Sequence, residues 1–446
     1  MIDKILIANR GEIAVRIIHA CREMGIATVS IYSEADKDSL HVQLADEAIC
    51  VGPKNVKDSY LNINSIISAC EITGARAVHP GCGFLAENKD FAKMVELCGL
   101  KFIGPSVKSI DVLGDKIKAK KLVKEVGVPV VEGSDGAVKS KEDAVKIAKK
   151  LGYPVIVKAK AGGGGKGIRV VREETELENA FLLAKSEARL YFADDEIYIE
   201  KYIENPRHVE VQILSDEFSN VVHLGERDCS VQRRNQKVIE EANSPAVDSN
   251  LRRKLGVAAV KVARACSYYN AGTVEFLLDK QNMFYFMEVN TRVQVEHGIT
   301  ELITGIDIVK TQIRIANGEK LKFKQSDINF KGHSMECRIN AECPEKGFLP
   351  SPGRIGELYI PCGNGIRVDH AIYSGYSVPP YYDNMLAKLM VHGEDRKEAV
   401  AKMVSALAEF IISGIETNID FQLKILRNKD FKAGNVDVGF LERLGY

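Results

Sequence analysis

The sequence predicts an α/β protein built from about three domains. Its 446 residues are too many for one hydrophobic core, since a domain usually takes about 100 to 200 residues. Between Lys4 and Gly104, short β-branched runs alternate with segments of helical periodicity, which is typical of a parallel sheet covered by helices. From His208 onward, strand-like runs follow one another directly and helical segments come last, which makes this the largest predicted unit.

The first predicted unit opens with a strand, a turn and a helix. The strand KILIA leads through NRGEIA into the helix EIAVRIIHACREMG, and the further strand-like runs are ATVSIY, EAICVG, RAVHPG and KFIGPS. The NRGEIA turn resembles the opening of a dinucleotide-binding unit. The G-x-G-x-x-G fingerprint is absent, however, which argues against NAD as a ligand.

The second predicted unit, from about Asp115 to Glu204, contains a hairpin between helices. The helical segments are DKIKAKKLVKEVG, KEDAVKIAKKLG and ELENAFLLAKSEARLYF, and IYIEKYI is strand-like. PVIVKAK and IRVVR are rich in β-branched residues and flank a glycine run, so they predict the two strands of a hairpin. A hairpin projecting between helices suits a lid that closes over a nucleotide.

Four consecutive glycines, Gly162 to Gly165, precede Lys166 at the predicted hairpin tip. Bare backbone N–H groups beside a lysine suit a bound phosphate. A P-loop would need Ser or Thr after the lysine to bind Mg²⁺, whereas this chain has Gly167. The glycines alone are equally compatible with a surface turn that binds nothing.

The third predicted unit runs from His208 to the end of the chain. Its strand-like runs are HVEVQIL, VVHLGERD, GTVEFLLD, MFYFMEV, SMECRINAE, RIGELYI, IRVDHAI and MLAKLMVHG, followed by helical EAVAKMVSALAEFI and NIDFQLKIL. The polar turn between GTVEFLLD and MFYFMEV predicts that these two runs pair as an antiparallel hairpin.

The composition is that of an ordinary globular protein with balanced charge. Sixty-one basic and sixty-one acidic residues give a formal net charge of zero, so neither nucleic acid nor a membrane surface is expected as a main partner. The N-terminal apolar run is short for a signal peptide, and no stretch approaches ~18 apolar residues. We therefore expect a cytoplasmic protein.

The ten cysteines are scattered, without a C-x-x-C pair or metal-ligand spacing. We expect them to be reduced and mostly buried. Cys82, in the glycine-rich HPGCGF, is the one expected to be more exposed, and without a neighbouring base it is not expected to act as a nucleophile.

A set of polar residues interrupts two apolar strands of the third unit. Glu275 and Glu288 lie among Phe, Leu and Met, where a carboxylate is costly unless it is paired or binds a cation. Two carboxylates and the Asn290 carbonyl suit Mg²⁺. Strict alternation is expected to place five polar side chains on one strand face: Glu288, Asn290, Arg292, Gln294 and Glu296. The alternative is that the two glutamates form ion pairs with Arg292 and a lysine.

Three further polar features have open interpretations. His208 is either a surface histidine or a contact to phosphate or ribose. The charged run RRNQKVIEE, residues 233–241, is by default a solvated face. Arg338 lies in a predicted strand and needs an anionic partner, either an acidic residue or a carboxylate-like substrate.

The motifs together resemble biotin carboxylase, of the ATP-grasp superfamily, over essentially the whole chain. They are, in order, KILIANRGEIA, HPGCGFLAEN, FIGPS with GDK, VKAKAGGGGKGIRVV, EKYIENPRHVEVQ, GERDCSVQRRNQKVIEEA, FMEVNTRVQVEHGITE and MECRINAE. The resemblance implies an N-terminal doubly wound (Rossmann-like) α/β domain at 1–114 and an ATP-grasp region at 115–330 with a mobile lid at about 131–204. It also implies a C-terminal α+β domain at 331–446.

The resemblance also implies roles for individual residues. It makes Lys116, Lys158 and His208 nucleotide contacts, with Gly164 and Gly165 closing over the phosphates. Asn235 stands at a position that touches the nucleotide, and the family often has His there. The implied adenine hinge is Glu200, Lys201, Tyr202 and Ile203. The implied Mg²⁺ or Mn²⁺ ligands are Glu275, Glu288 and Asn290, and the implied bicarbonate pocket is Lys237, Arg292, Gln294, Val295 and Glu296. Arg338 resembles the residue that meets bicarbonate and the biotin ring.

The implied reaction is ATP-dependent carboxylation of biotin by bicarbonate. Glu296 would be the general base, carboxyphosphate the intermediate, and Arg292 the group that stabilises the biotin oxyanion. Because no Met-Lys-Met signature occurs before Tyr446, biotin is expected on a separate carboxyl carrier protein, with a carboxyltransferase partner. A homodimer is implied by the family, and the final acceptor is left open among acetyl-CoA, propionyl-CoA, pyruvate and others.

The chain departs from the family pattern at a few positions besides Asn235. Gly298 replaces a usual proline, Cys82 replaces an aromatic residue, and Lys160-Ala161 precede the glycines; the role of Lys166 is undefined. Other ATP-grasp ligases and carbamoyl-phosphate synthases share the nucleotide site but not NTRVQVEH. A regulatory protein without turnover would be expected to lose Glu288, Arg292 or Glu296, and all three are present.

Overall fold

A computed structural model describes residues 1–159, 168–192 and 196–446 of the chain. Its N-terminal elements are β1 (Lys4–Ile7), α1 (Gly11–Glu23), β2 (Ala27–Ser33), α2 (Leu40–Leu44), β3 (Glu47–Gly52), α3 (Ile63–Thr73), β4 (Ala77–His79), α4 (Lys89–Leu97), β5 (Lys101–Phe102) and α5 (Val107–Gly114).

These N-terminal strands form a parallel sheet in the order β3-β2-β1-β4-β5. The predicted doubly wound sheet is therefore confirmed. Strand order reverses between β1 and β4, and in such sheets ligands bind where the strands end at this point. Gly11, at the turn from β1 into α1, has a φ of +68°, a left-handed conformation that glycine adopts without strain. The two turns that follow β1 and β4 therefore frame a crevice.

The next elements are α6 (Lys116–Glu125), α7 (Lys141–Leu151), β6 (Val155–Ala159), β7 (Ile168–Val171), α8 (Glu174–Phe192) and β8 (Ile197–Lys201). β6 pairs antiparallel with both β7 and β8, so the hairpin predicted from PVIVKAK and IRVVR is confirmed. The small sheet has its own core, made with α7 and α8 and including Val157, Phe181 and Ile199. Gly164, Gly165 and Lys166 lie outside the described residues.

The remaining elements build the largest unit: β9 (Arg207–Ser215), β10 (Val221–Arg233), β11 (Gln236–Ala242), α9 (Ser249–Ala265), β12 (Asn270–Leu278), β13 (Phe284–Asn290), α10 (His297–Thr304), α11 (Ile308–Ala316), β14 (His333–Asn340), β15 (Glu342–Cys343), β16 (Leu349–Pro350), β17 (Gly353–Arg354), β18 (Leu358–Tyr359), β19 (Ile366–His370), β20 (Ser377–Val378), β21 (Met385–Gly393), α12 (Arg396–Glu409), β22 (Ile411–Ile412), α13 (Ile419–Arg427), α14 (Lys429–Lys432) and α15 (Phe440–Arg443).

Eight of these strands form one antiparallel sheet in the order β13-β12-β9-β10-β11-β14-β21-β19. This sheet joins strands from both sides of position 330. On β9 and β12, alternate residues such as Val211 and Phe276 pack into a core with α9, whereas Glu210 and Glu275 face the other way. The sheet thus carries a row of polar side chains on one face, and α10 and the N-terminal domain cover part of that face.

The expected strand from Glu288 to Glu296 ends early. β13 stops at Asn290, and the following residues form a loop that ends where α10 begins, with Glu296 at the N-cap. Contacts from other elements hold this loop: Glu87 accepts a hydrogen bond from the Thr291 backbone N–H at 2.9 Å, and Lys388 donates to the Val295 carbonyl at 2.8 Å. The prediction of one continuous strand face was therefore wrong, because tertiary contacts turn the chain away from the sheet.

In the described part of the chain, no helix combines the length and apolar character needed to cross a bilayer.

Candidate active site

A cleft of about 2080 Å³ opens between the N-terminal sheet, the small sheet and the polar face of the large sheet. It includes the turns after β1 and β4, at the point where the order of the N-terminal strands reverses. Most of the predicted site residues line it: Lys116, Lys158, Glu200, His208, Asn235, Lys237, Glu275, Glu288, Asn290, Arg292, Gln294, Val295 and Arg338. The chain continues from Glu200 into Lys201, Tyr202 and Ile203, which do not line the cleft. Glu296 is wholly buried beneath the cleft.

Glu275 and Glu288 face each other across the β12–β13 ladder, as the pairing predicted. Asn290 donates a hydrogen bond to Glu275 at 2.8 Å. Glu288 is about one-third exposed at the cleft and forms an ion pair of 3.2 Å with Lys116. Two carboxylates and an amide oxygen at the edge of a cleft match the hard-oxygen preference of Mg²⁺. The donor set therefore fits a divalent cation.

The alternative, in which Glu275 and Glu288 form simple ion pairs with Arg292 and a lysine, is found only in part. Glu275 pairs with His208 at 3.0 Å and Lys237 at 3.2 Å, but Arg292 pairs with Glu87 instead. Burial alone would raise the pKa of Glu275, yet Lys237 and His208 lower it well below its usual range. Glu275 is thus held as a carboxylate, the form that a metal ligand needs.

Lys237 occupies the centre of a buried group of carboxylates. Its Nζ lies 2.6 Å from Glu210, 3.2 Å from Glu275 and 2.7 Å from Glu296. Burial would lower the pKa of Lys237, but Cys229 and these glutamates raise it well above its usual range. The ammonium is therefore a fixed positive charge at the base of the cleft. Donor atoms of His208, Glu210 and Glu275 also lie within 4.8 Å of one another, but this ammonium lies among them and opposes a second cation.

Glu296 has the environment of an ionised base. One carboxylate oxygen accepts from Lys237 at 2.7 Å and the other from Arg338 at 3.1 Å. Burial would raise the pKa of Glu296, but Lys237, Arg338 and Arg227 lower it well below the usual range. A carboxylate that stays ionised at neutral pH can accept a proton from a substrate bound next to it.

Arg292 is held over the cleft by three side-chain acceptors and the Val293 carbonyl. Its guanidinium donates to Glu87 at 2.9 Å, to Gln294 at 3.0 Å and to Asn290 at 3.3 Å. Arg338 binds Glu240, with Nε 2.7 Å from one carboxylate oxygen, and also reaches Glu296. The acidic-residue alternative for Arg338 is therefore found in the structure, and its exposure to the cleft leaves it able to meet a substrate as well.

Other residues of the cleft provide cations and polar groups suited to a nucleotide. Lys158 on β6 and Lys120 on α6 both pair with the carboxylate of Glu200, Lys158 at 2.9 Å. Gln232 contacts Nδ1 of His208 at 2.6 Å, and His208 is buried, so the surface-histidine alternative is wrong. Asn235 lies in the turn between β10 and β11 with a φ of +64°.

Cys82 lines the cleft and is half-buried, and burial raises the pKa of its thiol to about 11.

The interpretation of residues 233–241 as a solvated face was also wrong. The segment is mainly a buried strand: Glu240 and Glu241 are buried, and only the turn residues near Asn235 are exposed. The motifs also did not reveal the partners that hold the site together: the exposed Glu87 and the buried Glu210, Arg227, Glu240 and Lys388. Arg227 is wholly buried and donates to Glu210 at 2.5 Å and Gln212 at 2.8 Å. The sequence feature that could have indicated this buried arginine is its position in the run VVHLGERD.

Comparison with known protein families covers nearly the whole chain. Residues 1–110 match the biotin carboxylase N-terminal domain, and residues 336–443 match the biotin carboxylase C-terminal domain. Residues 115–324 match the ATP-binding domain of the carbamoyl-phosphate synthase L chain.

Individual proteins are similar over their full length. Biotin carboxylase 1 of Bacillus subtilis is 56% identical over 99% of this chain and 98% of its own length. The biotin carboxylase of Allochromatium vinosum is 53% identical over 100% of this chain and 99% of its own, and a pyruvate carboxylase subunit of Methanothermobacter thermautotrophicus is 52% identical over 99% of this chain and 90% of its own.

Solved structures agree with the same assignment. A biotin carboxylase–β,γ-ATP complex from Campylobacter jejuni gives a TM-score of 0.95 at 51% identity, covering 99% of both chains. The biotin carboxylase domain dimer of Hydrogenobacter thermophilus 2-oxoglutarate carboxylase, in complex with MgADP, ADP and bicarbonate, gives 0.94 at 51% identity, covering 100% of this chain and 98% of that one. With the ATP-grasp fold and the polar cleft described above, these matches establish that the chain belongs to the biotin carboxylase family.

Proposed function

We propose that the protein uses ATP and bicarbonate to carboxylate biotin, giving carboxybiotin, ADP and phosphate. The observation that carries the proposal is the buried Glu296 carboxylate, fixed between Lys237 and Arg338 at the base of the cleft. An ionised base beside two cations suits an anion that must lose a proton before it attacks a phosphoryl group.

The bicarbonate end of the cleft is assigned to the loop after β13. Lys237, Arg292 and Gln294, with the backbone at Val295, would hold bicarbonate, and Glu296 would take its proton. Attack of the bicarbonate oxygen on the γ-phosphorus releases ADP and forms carboxyphosphate. Carboxyphosphate breaks down to CO₂ and phosphate, the phosphate takes the N1 proton of biotin, and N1 attacks CO₂. Arg292 would stabilise the biotin oxyanion, and Arg338 would contact bicarbonate and the ureido ring.

The nucleotide end is assigned to the opposite wall. Lys116, Lys158, His208 and Asn235 would contact ATP, and the segment Glu200, Lys201, Tyr202 and Ile203 would border the adenine. Gly164 and Gly165 are proposed to close over the phosphates. Glu275, Glu288 and Asn290 would hold Mg²⁺, or Mn²⁺, which when bound neutralises charge on the β- and γ-phosphates.

The partners follow from the chemistry and from the named relatives. Carboxybiotin must be carried to a second site, so we propose a biotin carboxyl carrier protein and carboxyltransferase subunits as partners. The relatives include part of a pyruvate carboxylase, and also a 2-oxoglutarate carboxylase domain that forms a dimer. We propose a homodimer and assign the choice of acceptor to the transferase partner. From the resemblance to the family, we also propose a domain division at 1–114, 115–330 and 331–446, with a lid at about 131–204.

ATP hydrolysis by the purified protein tests the proposal. Hydrolysis should require Mg²⁺ and bicarbonate and should rise with free biotin, and Glu296→Ala or Arg292→Ala should reduce it by about 100-fold or more, as for loss of an acid–base group. Rapid hydrolysis that is indifferent to both bicarbonate and biotin would contradict it.

A further inference from the structure

Two glutamates that the proposed mechanism does not use face each other beneath the active site. Glu240 on β11 and Glu336 on β14 are directly opposite in the antiparallel register, and both are wholly buried. Directly opposite side chains in such a pair have Cβ atoms about 4.5–5.5 Å apart. The two carboxyl groups therefore share one buried space on the polar face of the sheet.

Their hydrogen bonding leaves three oxygen atoms without a donor. Both nitrogens that Arg338 directs at Glu240, Nε and Nη2, approach the same oxygen, Oε1, at 2.7 and 2.6 Å. Within the described residues, Oε2 of Glu240 and both oxygens of Glu336 are buried with no hydrogen-bond partner. Two ionised carboxylates have no hydrogen to share, whereas one proton on the pair supplies one O–H donor among the orphaned oxygens.

The charges around the pair do not supply a separate cation for Glu336. Lys388, diagonal to Glu336 on β21, already pairs with Glu12 on α1 at 3.1 Å and donates to the Val295 carbonyl. On α10, burial and nearby cations hold the pKa of His297 well below its usual range, so its ring is neutral. The other titratable groups facing the pair are Lys237 on β11, Cys229 on β10, Arg338 on β14 and Glu296 before α10.

We propose that Glu240 and Glu336 share one proton at neutral pH and that this singly charged pair positions Arg338 between Glu240 and Glu296. Both glutamates act through Arg338 and are positioning residues. The expected effect on turnover rests on the proposed function, whereas the shared proton does not. Burial is the largest cause that raises the pKa of each carboxyl group, followed for Glu336 by the charge of Glu240, and the pKa of Glu240 is raised to about 7.

The shared proton determines where the Arg338 guanidinium is attracted. With one proton present, Arg338 faces a single charge on Glu240 and remains available to Glu296 at 3.1 Å. Loss of the proton creates a second buried charge on Glu336, two residues before Arg338 on β14, which attracts the guanidinium towards the pair and away from the cleft. We therefore expect an alkaline decrease in the use of bicarbonate and biotin.

Infrared difference spectroscopy tests the proton directly and needs no activity. At neutral pH, the carboxylic acid C=O band of the wild-type protein should be reduced in Glu336→Gln, and it should disappear from the wild type as pH rises. Glu241→Gln is the matched control, because Glu241 bonds to His333 and Arg396, which lower its pKa to about 2 and keep it ionised. A Glu336→Gln spectrum that retains the full acid band would overturn the proposal.

Kinetics test the positioning role. Glu336→Ala should raise KM for bicarbonate and biotin about tenfold, the effect of one lost charge-assisted contact, with KM for ATP unchanged. Glu336→Gln, which mimics the protonated side chain, should restore both values and remove the alkaline limb of the wild-type pH profile. Equal losses in the two variants, or an unchanged alkaline limb in Glu336→Gln, would overturn the role. Failure of wild-type protein to use bicarbonate at all would instead contradict the proposed function, and the infrared result would still decide the proton.

Discussion

Replacing Lys237 by Met should raise the pKa of the proposed general base. The Lys237 ammonium touches Glu210, Glu275 and Glu296, and it is the strongest of the charges that lower the pKa of Glu296 against the opposing effect of burial. Methionine is unbranched and one heavy atom shorter, so it fills the space of the aliphatic part of the lysine without the charge. The change therefore removes a cation from three carboxylates and leaves the packing largely intact.

The size of the effect follows from the burial of this group. Removing one partner of a buried ion pair costs about 3–5 kcal/mol, and one pKa unit corresponds to about 1.4 kcal/mol. Each carboxylate keeps a second partner: Arg227 for Glu210, His208 for Glu275 and Arg338 for Glu296. A cost shared equally raises each carboxyl pKa by about one unit, and a cost borne by Glu296 alone raises its pKa by about two to four units.

The assay is the pH dependence of kcat/KM for bicarbonate in bicarbonate-dependent ATP hydrolysis. In the wild type, Glu296 stays ionised well below pH 4.5, the usual pKa of a glutamate. In Lys237→Met, the pH at which activity falls on acidification should be at least about one unit higher than in the wild type. Lys89→Met is the control, because Lys89 pairs with Asp111 at the surface, outside the cleft, and its profile should match the wild type. If Lys237→Met lowers the rate equally at every pH, the assignment of Glu296 as the base held by Lys237 is wrong.

Three further changes test other parts of the site and the fold. Lys388→Met should raise KM for bicarbonate about tenfold with little change in KM for ATP, because the Val295 carbonyl loses its donor at 2.8 Å; steady-state kinetics with each substrate varied measure both. Glu200→Gln should raise KM for ATP severalfold in the same assay, because Lys158 loses the carboxylate that fixes it beside the cleft, and an unchanged KM would contradict this role. Gly298→Ala should lower the free energy of unfolding by about 1–3 kcal/mol, because the new Cβ would lie 2.3 Å from the Met390 sulfur. Thermal denaturation measures the loss, which should shrink in a Met390→Ala background.

The fold and the hairpins could be predicted because they depend on local patterns. The alternation of β-branched runs and helical segments predicted the parallel N-terminal sheet, and the polar turn after GTVEFLLD predicted the pairing that sets Glu275 against Glu288. The period of two also placed these polar side chains opposite an apolar core. Most of the predicted site residues were identified by family motif, and the structure brings them together around one space.

The remaining features depend on contacts between distant parts of the chain. Nothing near Lys237 in sequence indicates that it meets Glu210 and Glu296, which are 27 and 59 residues away. The end of β13 at Asn290 could not be predicted from alternation, because Glu87 and Lys388, which are distant in sequence, hold the following loop. The presence of glycine at position 298 is likewise explained only by the structure, since Met390 occupies the space where a side chain would lie.

The central claim is that a bicarbonate oxygen attacks the γ-phosphorus of ATP, and oxygen-isotope transfer tests it most directly. With ¹⁸O-labelled bicarbonate, ATP and Mg²⁺, each phosphate released should carry one labelled oxygen, because the bond formed to phosphorus remains when carboxyphosphate releases CO₂. Glu296→Gln should slow release of labelled phosphate in proportion to ATP hydrolysis. Phosphate whose new oxygen comes only from water would contradict this mechanism.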